Sequence, residues 1–185
     1  DAATKGIREL DPDGTIGMLS MEPDPPYMRP NLSKGLWKGR PVEKIWRKTE
    51  ERGELNLGRK VTQLDPQKKT LQDDQGDEYS YDKLLLATGG KPFVPKMEGQ
   101  EKDGVFTFTN MAEAQRLSAK IDNLQAKSAV VIGAGLIGIS VTEALMKRGL
   151  KVTIVELQEK ILSLLLDSKA SDIVEAVIRK AGVNF

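Results

Sequence analysis

The amino-acid sequence predicts an α/β fold of parallel strands and crossover helices, with a small antiparallel β-hairpin element inside it. Residues 128–138 read Ser-Ala-Val-Val-Ile-Gly-Ala-Gly-Leu-Ile-Gly, an apolar strand running into closely spaced glycines. A helical apolar period over 139–150 follows, then a second apolar strand over 151–155 that ends on Glu156. Strand, turn, helix and strand make a βαβ unit. Between 59 and 86 the apolar period falls to two, broken by Asp65-Pro66-Gln67 and Asp73-Asp74-Gln75-Gly76, which is the pattern of short antiparallel strands.

The other elements follow in order. Residues 1–9 read as a short polar helix ending near Asp11-Pro12-Asp13-Gly14, and 15–20 as a strand with Glu22 just beyond it. Pro23, Pro25, Pro26 and Pro30 hold an extended loop, because proline fixes φ and restrains the residue before it. A short helix over 32–37 has Asn31 or Ser33 as its cap. Val42, Ile45 and Trp46 recur at helical spacing among charges, so 41–52 reads as a surface helix with one buried stripe. Strands are expected at 60–64, 69–71 and 78–86, the last broken by Ala87-Thr88-Gly89-Gly90. Amphipathic helices are expected at 110–123 and 167–181, with Gly182 capping the second and a strand beginning at 183–185.

Composition removes several function classes. A formal charge of +1 gives no electrostatic case for nucleic acid or a membrane surface. No apolar stretch reaches bilayer-spanning length and no cleavable signal opens the sequence, so a cytoplasmic location is the expectation. The absence of cysteine excludes a redox disulfide, a thiolate nucleophile and cysteine metal ligands within this chain. The absence of histidine removes the usual general base and the commonest metal ligand. No metal site is expected, and redox chemistry would have to be carried by a bound organic cofactor.

The glycine unit has the form of a dinucleotide site. Gly133 permits a tight turn, Gly135 lets backbone approach a pyrophosphate, and Gly138 lets helix and strand pack closely. Phosphates would rest on the helix's free N–H groups and its positive dipole end, so Gly133, Ala134, Gly135, Leu136, Ile137 and Gly138 form the expected cradle. Glu156 is placed to accept hydrogen bonds from a ribose diol. An acid there favours NAD(H) over NADP(H), because a carboxylate repels a 2′-phosphate.

Three passages together resemble the FAD-dependent pyridine nucleotide-disulfide oxidoreductase superfamily, in its ferredoxin/rubredoxin reductase-like branch: Pro26-Tyr27-Met28-Arg29-Pro30-Asn31-Leu32-Ser33-Lys34, Tyr81-Asp82-Lys83-Leu84-Leu85-Leu86-Ala87-Thr88-Gly89, and the glycine unit through Glu156. The resemblance implies two Rossmann-like dinucleotide-binding domains, each incomplete: part of an FAD domain over 1–109, lacking its first βα unit, and the N-terminal portion of an NAD domain over 110–185. It also implies that Arg29 and Lys34 lie along FAD, with the Lys34 ammonium near the isoalloxazine ring, where a fixed cation would favour reduced, anionic flavin. Glu22 is the candidate for the adenosine ribose of FAD. Val61 matches a position whose backbone touches adenine, and Ala87, Thr88 and Gly89 form a turn where bare backbone approaches FAD.

The sequence departs from that pattern in four places. Thiol-dependent relatives carry cysteine where Lys34 stands, so a disulfide reductase is disfavoured. Ser140 occupies the position of a glutamate that pairs with the flavin-side lysine in relatives, with Glu143 one turn further on. Thr109 replaces an FAD-contacting arginine, and the family's first glycine turn is missing. The chain therefore reads as an internal fragment, expected to bind FAD weakly or not at all.

The resemblance implies a parent enzyme passing hydride from NADH to FAD, then electrons to rubredoxin, ferredoxin, a downstream redox centre or oxygen, with Lys34 as its catalytic residue. A redox partner protein and a homodimer are compatible with it. Two alternatives stay open: a dinucleotide-responsive binding protein with little turnover, and a flavin-free NAD-dependent dehydrogenase.

Overall fold

The computed structural model describes residues 1–185, the Lys38 side chain excepted. Its contacts divide the chain into two units, Asp1–Met28 with Val42–Lys91, and Arg29–Pro41 with Pro92–Phe185.

In the first unit, helix α1 (Ala2–Leu10) precedes β1 (Gly17–Ser20), which pairs in parallel with β2 (Glu54–Leu57). Arg52 ties the α1 segment to the chain just ahead of β2. Its guanidinium pairs with the Asp1 carboxylate, and its carbonyl accepts from Arg8 Nε at 3.0 Å. A three-stranded antiparallel sheet follows, β3 (Val61–Asp65), β4 (Thr70–Asp73) and β5 (Glu78–Ser80), in the order β3-β4-β5.

A buried carboxylate holds this sheet's turn. Asp73, its side chain fully enclosed, accepts from the N–H groups of Gln75 and Asp77 at 2.9 and 3.0 Å. Its other oxygen accepts from Tyr79 Oη at 3.0 Å and Arg59 Nη1 at 3.1 Å. Burial would raise the Asp73 carboxyl, but these hydrogen bonds and the Arg59 charge outweigh it and leave it below its ordinary value.

Three sequence expectations in this unit are corrected. Residues 41–52 form no α-helix: Val42–Ile45 is a single 3₁₀ turn. Its backbone groups are used laterally, with Met28 N donating to Ile45 O and Arg47 N to Pro26 O, and Trp46 stands edge-on to Tyr27. Strand β2 was not anticipated. The third hairpin strand stops at Ser80, leaving Leu84, Leu85 and Leu86 exposed without regular structure.

The second unit holds α2 (Asn31–Lys34), a 3₁₀ turn at Leu36–Lys38, α3 (Met111–Leu124), β6 (Ser128–Ile132), α4 (Leu136–Lys147), β7 (Lys151–Val155) and α5 (Ser168–Lys180). Neither Asn31 nor Ser33 caps α2; Pro30 takes that place, and no side chain bonds to the helix start. Strands β6 and β7 are parallel, Ser128 opposite Lys151 and Ile132 opposite Val155. The anticipated strand at 183–185 is a single parallel bridge from Asn184 to Thr153.

Side chains alternate across the two strands. Val152 and Ile154 are buried among residues of α4, α5 and the Ile161 loop, whereas Val130, Ile132 and Val155 on the opposite face are more than half exposed. Trp37 joins this core. It meets Phe108 edge-to-face at 5.6 Å and lies under the Arg148 guanidinium at 5.1 Å, which further bonds Ser118 and Asp122. No helix among the described residues is long and apolar enough to cross a membrane.

Candidate functional site

The β6–α4 turn is shaped by its glycines. Gly133 has φ +100°, a conformation that side-chain-bearing residues avoid, and its N–H donates to Val155 O at 2.8 Å, binding the turn to β7. Gly138 lies in the first turn of α4, where a methyl group would stand 2.0 Å from Gly133 O and 3.5 Å from Val131 Cγ1. The closest approach is thus of helix to turn, with the strand side chain next. Gly135, the residue that caps α4, has an ordinary φ of −78°, and nothing lies within 4 Å of where its Cβ would be. Its glycine character serves neither strain nor internal packing, and it leaves open space over the helix start.

That space faces unused donors. The first bond into α4 is Ile139 N to Gly135 O at 3.0 Å, and no side chain caps the helix. Among the described residues the N–H groups of Gly135, Leu136, Ile137 and Gly138 have no acceptor, and the helix dipole adds partial positive charge at the same place. Leu136 and Ile137 are exposed beside them, as is Leu157 on the far side of Glu156. Donors, positive potential and apolar flanks suit a ligand with anionic and flat aromatic parts.

Glu156 completes the rim from the end of β7. One carboxylate oxygen accepts from Ala134 N at 2.6 Å and the other from Gln158 N at 3.0 Å. The N–H groups of Ala134 and Gln158 hold its carboxyl below its ordinary value, against a smaller opposing effect of burial. It is therefore ionised at neutral pH and fixed against the turn. A carboxylate has about four acceptor positions, so a diol can be received alongside these two donors.

The remaining expected site residues fall in both units. In the first, Glu22 follows β1 and accepts from Tyr27 Oη at 2.5 Å, while Val61 opens β3 opposite Asp73. Ala87, Thr88 and Gly89 are exposed, with Gly89 at φ +69° and open space around it. Bare backbone of this kind fits a ligand that packs against main chain. In the second unit, Arg29 donates from Nη1 to Thr109 O at 2.7 Å. Lys34 is exposed at the end of α2, and its ammonium has no hydrogen bond or ion pair among the described residues. Among the described residues no group of carboxylates could hold a metal ion.

One cluster escaped the sequence reading. Asn110 caps α3 by accepting from Glu113 N at 2.9 Å, and Glu113 reaches back to Thr107 and Thr109. The Asn-x-x-Glu spacing at 110–113 is the signal that could have found it.

Comparison with known proteins gives the family. The chain belongs to the pyridine nucleotide-disulphide oxidoreductase family, whose profile matches residues 2–185. Rubredoxin-NAD(+) reductase of Pseudomonas putida is 30% identical over 97% of this chain and 48% of its own length. The nitrite reductase [NAD(P)H] of Bacillus subtilis is 31% identical over 92% of this chain and 22% of its own. Among solved structures, the water-forming NADH oxidase from Lactobacillus brevis bound to NADH superposes with a TM-score of 0.86 at 26% identity, over 98% of this chain and 42% of that one. The α/β fold with parts of two Rossmann-like domains is thereby established. The chain spans about half the length of the curated relatives it matches first.

Proposed function

We propose that the protein carrying this chain is an FAD-dependent oxidoreductase that takes hydride from NADH. The observation that carries this reading is the turn at 133–138, with unused N–H groups at the α4 start and the ionised Glu156 fixed on its rim.

The N–H groups of Gly135, Leu136, Ile137 and Gly138 would hold the NADH diphosphate, and Glu156 would accept from its adenosine ribose. An engineered NADPH oxidase bound to NADPH supports the preference for NADH. Its changes include Gly to Ala and, further on, Asp to Ala followed by Ala to Arg, at the same separation as Gly138 and Glu156 here. Removal of an acid and gain of a cation there accompany the phosphorylated cofactor, which is the electrostatic logic assigned to Glu156.

FAD, when bound, would supply acceptance of hydride and onward passage of electrons. Glu22, Arg29, Lys34, Val61 and Ala87–Gly89 are the residues proposed to hold it. The Lys34 ammonium would add positive charge on the flavin side. The proposed division of the parent is an FAD domain over 1–109 and an NAD domain from 110. Rubredoxin, ferredoxin, a further redox centre or oxygen is the proposed acceptor, in a cytoplasmic enzyme that is compatible with a homodimer.

Stopped-flow mixing of the intact protein with NADH tests the reading: flavin absorbance should bleach, and much faster than with NADPH. No bleaching removes the oxidoreductase, and equal rates with the two nucleotides remove the role of Glu156. A second reading, a binding protein that responds to NADH with little turnover, is favoured by Ser140 in place of the glutamate that pairs with the flavin-side lysine in relatives. Steady-state turnover with artificial acceptors separates the two. A flavin-free dehydrogenase leaves the Arg29–Lys34 and Ala87–Gly89 passages without a role.

A further inference from the structure

We infer that Glu113 is a positioning residue for the FAD site and acts through Arg29. The Glu113 carboxylate gathers the chain just ahead of α3. One oxygen accepts from Thr107 Oγ1 at 2.6 Å; the other accepts from Thr109 N at 2.6 Å and Thr109 Oγ1 at 2.9 Å. Asn110 closes the box by accepting from Glu113 N at 2.9 Å.

Thr109 is thus held at both its N–H and its hydroxyl, which fixes the direction of its carbonyl. That carbonyl accepts from Arg29 Nη1 at 2.7 Å, across 80 positions of sequence and within one unit of the fold. A guanidinium on a long, exposed side chain has many rotamers, and one short bond to a rigid acceptor selects among them. Three donors on one carboxylate exceed what a helix cap requires. The surplus is spent on the residue that Arg29 uses.

Burial alone would raise the Glu113 carboxyl, and the bonds from Thr107 and Thr109 hold it below its ordinary value instead. The clamp is therefore charged and closed at neutral pH. Without it Thr109 O has only the local chain to orient it, and Arg29 loses a rigid acceptor.

The inference rests on the placement of Arg29 along FAD proposed above, and a double-mutant cycle separates the two ideas. FAD affinity is measured by titrating the apo form of the intact protein, for wild type, Arg29→Ala, Glu113→Ala and the double variant, with apo melting temperatures alongside. Arg29→Ala should weaken FAD binding by about 10–100-fold, the loss of charge-assisted contacts. Glu113→Ala should weaken it by about 10-fold when Arg29 is present and by less than about 2-fold when Arg29 is alanine. Glu113→Gln should restore most of the affinity, since its amide oxygen still accepts from Thr109 and its NH₂ can donate to Thr107 Oγ1.

Additive losses would overturn the inference while leaving Arg29 at the FAD site. No effect of Arg29→Ala would overturn both. If Glu113→Ala does not fold, Thr107→Val runs the same cycle, with a loss of about 3-fold expected only in the Arg29 background.

Discussion

Substitution of Gly135 by alanine separates folding from nucleotide binding at the turn. The residue adopts φ −78° and ψ −177°, which alanine accepts without strain, and no atom lies within 4 Å of the new methyl group. Restricting the unfolded chain favours alanine by about 0.4–1 kcal/mol. Replacing glycine with alanine at a helix cap costs a similar fraction of a kilocalorie. The two nearly cancel, so the melting temperature should move by less than about 2 °C. Binding should respond very differently. The methyl group would enter the open space over the N–H groups of Gly135 to Gly138 and hold a diphosphate away from them. Losing two hydrogen bonds to a charged acceptor amounts to about 3–4 kcal/mol, or roughly 100–1,000-fold in NADH affinity. Titration calorimetry with NADH and a thermal melt on the same samples provide the assay. An unchanged melt with unchanged NADH affinity would refute the assignment of this turn to the diphosphate.

Three further outcomes follow from the same geometry. Gly138→Ala should destabilise the fold by about 1–3 kcal/mol, read as a lowered melting temperature, because its methyl would stand 2.0 Å from Gly133 O. That carbonyl is hard to move, since Gly133 N is bonded to β7 and Ala134 N to Glu156. The contribution of Asp73 should be full above the ordinary carboxyl pKa and lost as pH falls through its lower folded-state value. Asp73→Asn should therefore weaken hairpin amide protection at neutral pH and flatten its loss in acid. NADH affinity, finally, should be constant across neutral pH. It should fall only in acid, as Glu156 takes up a proton at a pH below its ordinary value.

The βαβ unit was legible because each of its requirements is written locally: apolar strands, glycines at fixed offsets and an acid at the strand end. Amphipathic spacing likewise made α3 and α5 readable, whereas their caps, Asn110 and Asp167 accepting from the N–H groups of Glu113 and Ala170, were not read from it. What the sequence misled on depends on distant partners. The apolar spacing of Val42, Ile45 and Trp46 mimics a helix, but backbone bonds to the 26–28 loop divert it into a 3₁₀ turn and a bridge. Strand β2 has only four residues and exists through pairing with β1, some 37 positions away, a non-local cause invisible in a local window. Leu84–Leu86 has the composition of a strand, yet none of the described strands accepts its backbone groups, and it stays irregular. In the site, the Glu156–Ala134 bond could not be read from spacing, which places an acid near the turn without showing that it closes it.

Calorimetric titration of NADH into the wild-type protein and into Glu156→Ala tests the assignment of Glu156 and the 133–138 turn to the dinucleotide. NADH should bind the wild type saturably and the variant with an affinity lower by about 10–100-fold, the loss of charge-assisted hydrogen bonds to the ribose. Two chains equally indifferent to NADH, or equally avid for it, would contradict that assignment.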